Sequence, residues 1–143
     1  VTDPSATESV ELRIPASAEW LALARTTGAA IASRWSFTYD EIADLRLAID
    51  ELCLTLVEGA TAEQLQLTYS LEGETLQVVG LATGFAAASN AAAAETEGPH
   101  GIPIASADLS ARILDALVDE HGLKDEKDGR KAWLRKQRGA NSP

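Results

Sequence analysis

Cysteine occurs once in the chain, as Cys53, and methionine not at all. A lone thiol excludes an internal disulfide, and with only two histidines the chain lacks the ligands for a zinc cluster. Any metal would have to arrive with a ligand. Without methionine, the numbering is expected to begin after a removed initiator or inside a longer reading frame. No apolar run approaches the roughly 18 to 20 residues needed to cross a bilayer, although 45% of the residues are hydrophobic. Neither a membrane span nor a signal peptide is expected, and the sequence reads as a soluble, cytoplasmic protein. Positive charge is scarce as well: 12 Lys and Arg stand against 22 Asp and Glu, a formal charge of −10. That balance argues against a nucleic-acid surface, which gains affinity by neutralising phosphates with Lys and Arg. A basic or mixed protein partner fits better. Five of the twelve basic residues, Arg130, Lys131, Arg135, Lys136 and Arg138, gather near the end, where they read as a solvated last strand and tail.

What is present is enough for one domain with a real core, 143 residues being short for two. Residues 1–9 read as a flexible leader, 10–138 as a single domain and 139–143 as a tail. "VELRIP" alternates Val10, Leu12 and Ile14 against Glu11 and Arg13, the period of a half-buried strand ended by Pro15. A helix is expected over 18–34, with Trp20, Leu23, Ala24, Thr27, Ile31 and Trp35 on its inner face. A second should start near Tyr39, because Thr38 and Glu41 stand at capping-box spacing between Phe37 and Ile42, and should end near Gly59. "QLQLTYSL" and Thr75 to Leu81 flank "EGE" as a hairpin. The alanine-rich stretch that follows reads as a long loop, with a short alanine helix as the alternative. A third helix is expected over 107–120, facing inward through Leu109, Ile113, Ala116 and Leu117 and closed by Gly122. Two short strands then turn around Asp128 and Gly129. The fold class is α+β, an α/β sandwich: a mixed, largely antiparallel sheet covered on one face by helices.

Within the second helix, "LRLAIDELCLTLVEGA" sets the carboxylate of Glu51 in an apolar run. At about 100° per residue, Ile42, Leu45, Ile49, Leu52, Cys53 and Leu56 form the core stripe, and Glu51 falls almost opposite with Thr55 beside it. Leu47 and Leu54 share that outer face, which is too apolar for plain solvent and calls for partial cover. A solvated surface glutamate is the alternative. His100 and His121 have no companions at a triad's spacing, and His121 is read as a helix-terminal residue. Cys53 is read as a small apolar core residue, and Trp20, Trp35 and Trp133 as core or edge aromatics.

"DEIADLRLAIDELCLTLVEGA" resembles the nucleotide-site helix of the anti-sigma regulatory factors and their related serine kinases, which share the histidine-kinase-like ATPase (GHKL, Bergerat) fold. The opening "ELRIPA", the paired helices, the hairpin and "ILDALVDEHGL…DGRKAWLRKQR" extend the likeness over most of the chain. The resemblance implies that Glu51 occupies the position of the catalytic Glu, and that Thr55 replaces the Asn that normally holds Mg²⁺. It places Gly80 where an Asp reads adenine, with Ala82 and Gly84 at the two glycines that follow. Ser110 and Ala111 stand where a second glycine motif would receive phosphate. Gly98 to Pro103 lies ten residues too early for that role and reads as lid. The degenerate nucleotide site would therefore be Thr55, Gly80 and Gly84, with no protein metal centre. What the resemblance implies for function is an anti-sigma factor that sequesters an RNA polymerase sigma factor, without cofactor. The alternative is a serine kinase using ATP and Mg at Glu51 to phosphorylate an anti-anti-sigma antagonist. It also allows a homodimer through the opening strand and neighbouring helix, without direct nucleic-acid or membrane contact.

Overall fold

The structure, a computed structural model, describes residues 8–57, 62–84, 102–126 and 129–139, the side chains of 102–108 excepted. The long loop expected after the hairpin, with His100, therefore lies outside the described residues, as do Asp128, most of the leader and most of the tail.

Five strands form one sheet: β1 (Glu8–Pro15), β2 (Gln64–Glu72), β3 (Thr75–Thr83), β4 (Glu120–Glu126) and β5 (Gly129–Gln137). Their order across the sheet is β1-β2-β3-β5-β4, and all four pairings are antiparallel. Helices α1 (Ala18–Arg34), α2 (Tyr39–Val57) and α3 (Ile102–Leu117) pack as a layer, with α2 touching both its neighbours and the central strands. This is the expected α+β arrangement. It follows from the period-two pattern: Leu65, Leu67 and Tyr69 on β2, Leu76, Val78 and Ala82 on β3, and Ala132 and Leu134 on β5 are all buried toward the helices.

The start of α2 is set by local chemistry. The Thr38 amide donates to Glu41 Oε1 at 2.7 Å, and the Glu41 amide donates to Thr38 Oγ1 at 3.1 Å, which closes the capping box. Burial would raise the Glu41 carboxyl, but bonds from the Thr38 and Gly139 amides and the Thr38 hydroxyl hold it below the usual range. Gly139, expected to begin a free tail, is thereby docked onto α2. Along α2 the stripe Leu45, Ile49, Leu52, Cys53 and Leu56 is buried as its spacing predicts.

The inner faces of the other two helices differ from expectation. On α1 the buried residues are Leu21, Ala24, Gly28, Ile31 and Ala32, while Trp20 and Leu23 are each 41% exposed. Ala24, Gly28 and Ala32 recur every four residues and let α1 lie close against its neighbours. A β-carbon at Gly28 would collide with the Ile49 side chain and come within 3.3 Å of the Tyr69 ring. The buried Tyr69 hydroxyl donates to the Ala24 carbonyl at 2.8 Å. Close approach, rather than bulk, chose this face, so the larger residues Trp20 and Leu23 turned outward. In α3 the helix stops at Leu117, and Leu114 and Val118 are buried while Leu109 is 57% exposed. Gly122 belongs to β4 and closes no helix.

The basic cluster at the end of the chain divides by strand periodicity. Arg130, Lys136 and Arg138 lie on the helix side of the sheet, and each reaches a carbonyl at one helix C-terminus. Arg138 Nη1 donates to the Trp35 carbonyl after α1 at 2.6 Å, Arg130 Nη1 to Thr55 in the last turn of α2 at 3.1 Å, and Lys136 Nζ to Leu117 of α3 at 2.8 Å. Cations at helix C-termini satisfy orphan carbonyls and oppose the negative dipole end. These three residues are structural, not a solvated tail.

Candidate functional site

The chemistry-bearing positions converge where α2, α3 and the central strands meet. α2 contributes Glu51 and, one turn on, Thr55; β3 contributes Gly80 and Ala82, with Gly84 just past its end; α3 contributes Ser110 and Ala111. Glu51 is not a solvated surface residue. It is half-buried on the flank of α2 that faces α3, where Ser110 Oγ donates to Glu51 Oε1 at 2.6 Å. The reason is the packing of α3 alongside α2. This packing turns one flank of the helix into an interhelical seam, a placement that a helical wheel cannot supply. Leu47 and Leu54 do stay on the outer face, 58% and 42% exposed.

Thr55 also faces inward. It lines a cavity of about 190 Å³ whose walls include Leu52, Ala111, Leu114, Leu123 and Ala132, with Ser110 and His121 at its edge. Its Oγ1 is buried without a hydrogen-bond partner among the described residues. An orphaned hydroxyl costs about 1 to 3 kcal/mol, and the cavity beside it has room for a hydrogen-bonding group. His121, expected at a helix end, pairs with Leu134 in β4 and contacts Asp115 Oδ1 at 2.7 Å, tying β4 to α3.

Gly80 sits in the middle of β3, opposite Leu67 and Ala132, beneath α2. A β-carbon there would lie 2.5 Å from Leu56 Cδ1, 3.3 Å from Leu67 Cδ2 and 3.8 Å from Leu52 Cδ2. The space that a side chain at this position would need is thus occupied by leucine. Gly84 takes φ 78, a left-handed conformation suited to glycine, and its β-carbon would meet Glu63 at 2.9 Å. Gly98 to Gly101 lies outside the described residues.

A magnesium-bound adenine nucleotide can be tested against this donor set. Position 80 offers no carboxylate and no room for one. Thr55 offers one hydroxyl against apolar walls, and Ser110 is already engaged by Glu51. The cavity is smaller than the roughly 300 to 1,000 Å³ of sites for drug-sized ligands. The described residues do not fit a nucleotide held through an adenine-reading Asp and a magnesium-binding Asn. Cys53, by contrast, is the core residue it was read to be: burial pushes its thiol up to about 12, and Asp50 adds to the shift.

The residue that sequence reasoning missed here is Arg130. It donates through Nε to Asp125 Oδ1 at 2.7 Å while capping α2 beside Thr55. Its signal was available, since cations two or more alternations apart on β5 share the helix face.

No family model matches the chain. A serine-protein kinase RsbW of Bacillus cereus is 33% identical over 121 residues, covering 79% of this chain and 75% of that protein. The chain belongs to the RsbW family of serine-protein kinases and anti-sigma factors. RsbW from another Bacillus cereus strain is 35% identical over 80 residues, 54% of this chain and 50% of that protein. RsbW from Bacillus thuringiensis is 36% identical over 75 residues, 50% of this chain and 47% of that protein. Against these two, the matched segment spans about half of each relative. The five-stranded antiparallel sheet under three helices agrees with the GHKL-type fold of the RsbW family. No helix among the described residues is long and apolar enough to cross a membrane.

Proposed function

We propose that this chain is an anti-sigma factor that sequesters an RNA polymerase sigma factor in the cytoplasm by surface docking, its ATP binding weak or lost. The observation that supports the reading is the packing at Gly80, the position that the resemblance gives to the adenine reader, where a β-carbon would meet Leu56 and Leu67. Leaving the donor of an adenine ring unpaired costs about 1 to 3 kcal/mol, and every 1.4 kcal/mol is about tenfold in affinity. Replacement of the Asn position by Thr55 adds to that loss. The scaffold meanwhile offers a net charge of −10 and the exposed apolar residues Leu47, Leu54 and Leu109. An acidic regulator with apolar anchors suits the basic, DNA-binding segments of a sigma factor. A homodimer and an anti-anti-sigma antagonist complete the proposed set of protein partners.

The second reading is an ATP-dependent serine kinase acting on that antagonist. It is favoured by Glu51, which the resemblance sets at the catalytic position, and by relatives whose names include kinase. Titration calorimetry with Mg-ATP and purified sigma factors separates the two. The anti-sigma reading expects sigma binding that weakens with salt and an ATP dissociation constant near or above the millimolar range. Micromolar ATP affinity, with phosphate transfer to the antagonist that disappears in Glu51→Gln, would establish the kinase instead.

A further inference from the structure

The helices cover only one face of the sheet, and the register shows what the other face presents. Arg13 pairs with Gln66, Gln66 with Leu81, Leu81 with Lys131 and Lys131 with Lys124. These five side chains form one row across all five strands on the side away from the helices. Four strand spacings of about 4.8 Å make the row about 19 Å long. On a chain with charge −10, it holds three cations and no carboxylate. Arg13, Lys124 and Lys131 are exposed, and the described residues include no hydrogen-bond or ion-pair partner for them.

One feature of this row works against the fold, and the row beside it carries a fixed aromatic ring. Lys124 and Lys131 are direct cross-strand partners, and like charges placed so are destabilising. In the next row, Val79 pairs with Trp133 and Trp133 with Gly122. A β-carbon at Gly122 would come 2.7 Å from the Trp133 indole, so the glycine leaves room for the ring to lie over β4. The Arg135 guanidinium sits 5.0 Å from the ring centroid and holds it from the other side. A fixed indole on a face that no described helix covers, beside cations with no partner among the described residues, breaks local rules of stability in the way binding surfaces do.

We infer that this open face is a docking surface for an acidic segment of a partner protein. Carboxylates of the segment meet Arg13, Lys131 and Lys124, and one large apolar residue between them rests on Trp133, Val79 and Leu81. The boundaries of the row select a short segment over a continuous polyanion. Glu11 lies beside it on β1 and Glu126 beside it on β4, with Glu120 one row beyond Gly122. A nucleic-acid strand running past the three cations would meet those carboxylates and the net negative field of the chain.

The test is an amide NMR titration of the full chain with a twelve-residue Asp/Glu peptide carrying a central Leu, and in parallel with an oligothymidylate of twelve nucleotides. The peptide should shift amides along the row, at Arg13 on β1 as well as on β3, β4 and β5, and leave the helices unmoved. Lys131→Glu and Lys124→Glu should each weaken it roughly tenfold. Each substitution turns a like-charge pair into an opposite-charge pair, so the fold is retained and thermal unfolding confirms it. Peptide shifts scattered over the molecule, or binding indifferent to both reversals, would overturn the assignment. Tighter binding of the oligonucleotide on the same row would overturn it in favour of nucleic acid.

Discussion

Placing an aspartate at position 80 is the sharpest perturbation of the candidate site. In Gly80→Asp the new β-carbon would lie 2.5 Å from Leu56 Cδ1 and 3.3 Å from Leu67 Cδ2, both on fully buried leucines. Leu56 must turn its methyl away within a buried layer, and overpacking of this kind costs about 1 to 3 kcal/mol. The carboxylate then sits under α2 among leucines with no donor facing it, and an unpaired buried polar group adds several kcal/mol more. Together these reach on the order of 4 kcal/mol, a large share of the roughly 5 to 15 kcal/mol that holds a domain folded. Gly80→Ala separates the two contributions, since it keeps the steric clash and omits the charge. Urea unfolding followed by far-UV circular dichroism should rank the variants wild type, Ala, Asp in falling stability, with no Mg-ATP binding by calorimetry in any of them. If Gly80→Asp unfolded within about 1 kcal/mol of the parent and acquired micromolar ATP affinity, the packing argument for a closed adenine site would be wrong.

Three further outcomes follow from the same geometry. Tyr69→Phe leaves the Ala24 carbonyl without its 2.8 Å donor and should cost about 1 to 2 kcal/mol, read as a lower urea midpoint with unchanged slope. Cys53 deprotonates near 9 when unfolded and near 12 when folded; the unfolded state therefore loses its proton first, and stability should fall between those values by up to about 1.4 kcal/mol per pH unit. Cys53→Ala should remove that contribution to the alkaline slope in pH-dependent urea melts. Thr55→Asn places its amide in the 190 Å³ cavity and should stay within about 1 kcal/mol of the parent, yet bind no ATP by calorimetry while position 80 remains packed; a gain of micromolar affinity would contradict this.

Much of the fold was legible because it rests on short-range signals. Alternation fixed β2 and β3, and the Thr38 and Glu41 spacing fixed the start of α2 to the residue. Failures came where a third element decided the outcome. The inner face of α1 was set by the closeness of Ile49 and Tyr69 to Gly28, and a count of apolar residues favours Trp20 and Leu23 instead. The end of α3 was lost because Glu120, His121 and Gly122 pair with β5, an energy that helix propensity does not contain. For the candidate site, the helical wheel misjudged how Glu51 and Thr55 are surrounded. Glu51 and Thr55 were placed on an outer surface, and the neighbouring helix α3 made that surface an interior seam. The cations of β5 were read as one run, although strand periodicity sends Arg130, Lys136 and Arg138 to helix ends and Lys131 and Arg135 to the opposite face.

The altered positions are therefore not equivalent. At Thr55 the surroundings still resemble a site: a cavity remains, and a buried hydroxyl points at nothing among the described residues. At Gly80 they do not, because a β-carbon there would meet leucines from α2 and β2. Reopening the first needs a single side chain, whereas reopening the second needs the core to be repacked around Leu52, Leu56 and Leu67. Core packing at Gly80 contributes to the stability of the folded protein, so any side chain at that position works against folding. The bond from Ser110 to Glu51 sits outside that core and is only part-buried; it can break and re-form without cost to the leucine layer. A protein that keeps its scaffold under such a constraint can vary its helix surfaces and its open sheet face freely, and those are the surfaces on which a docking function depends.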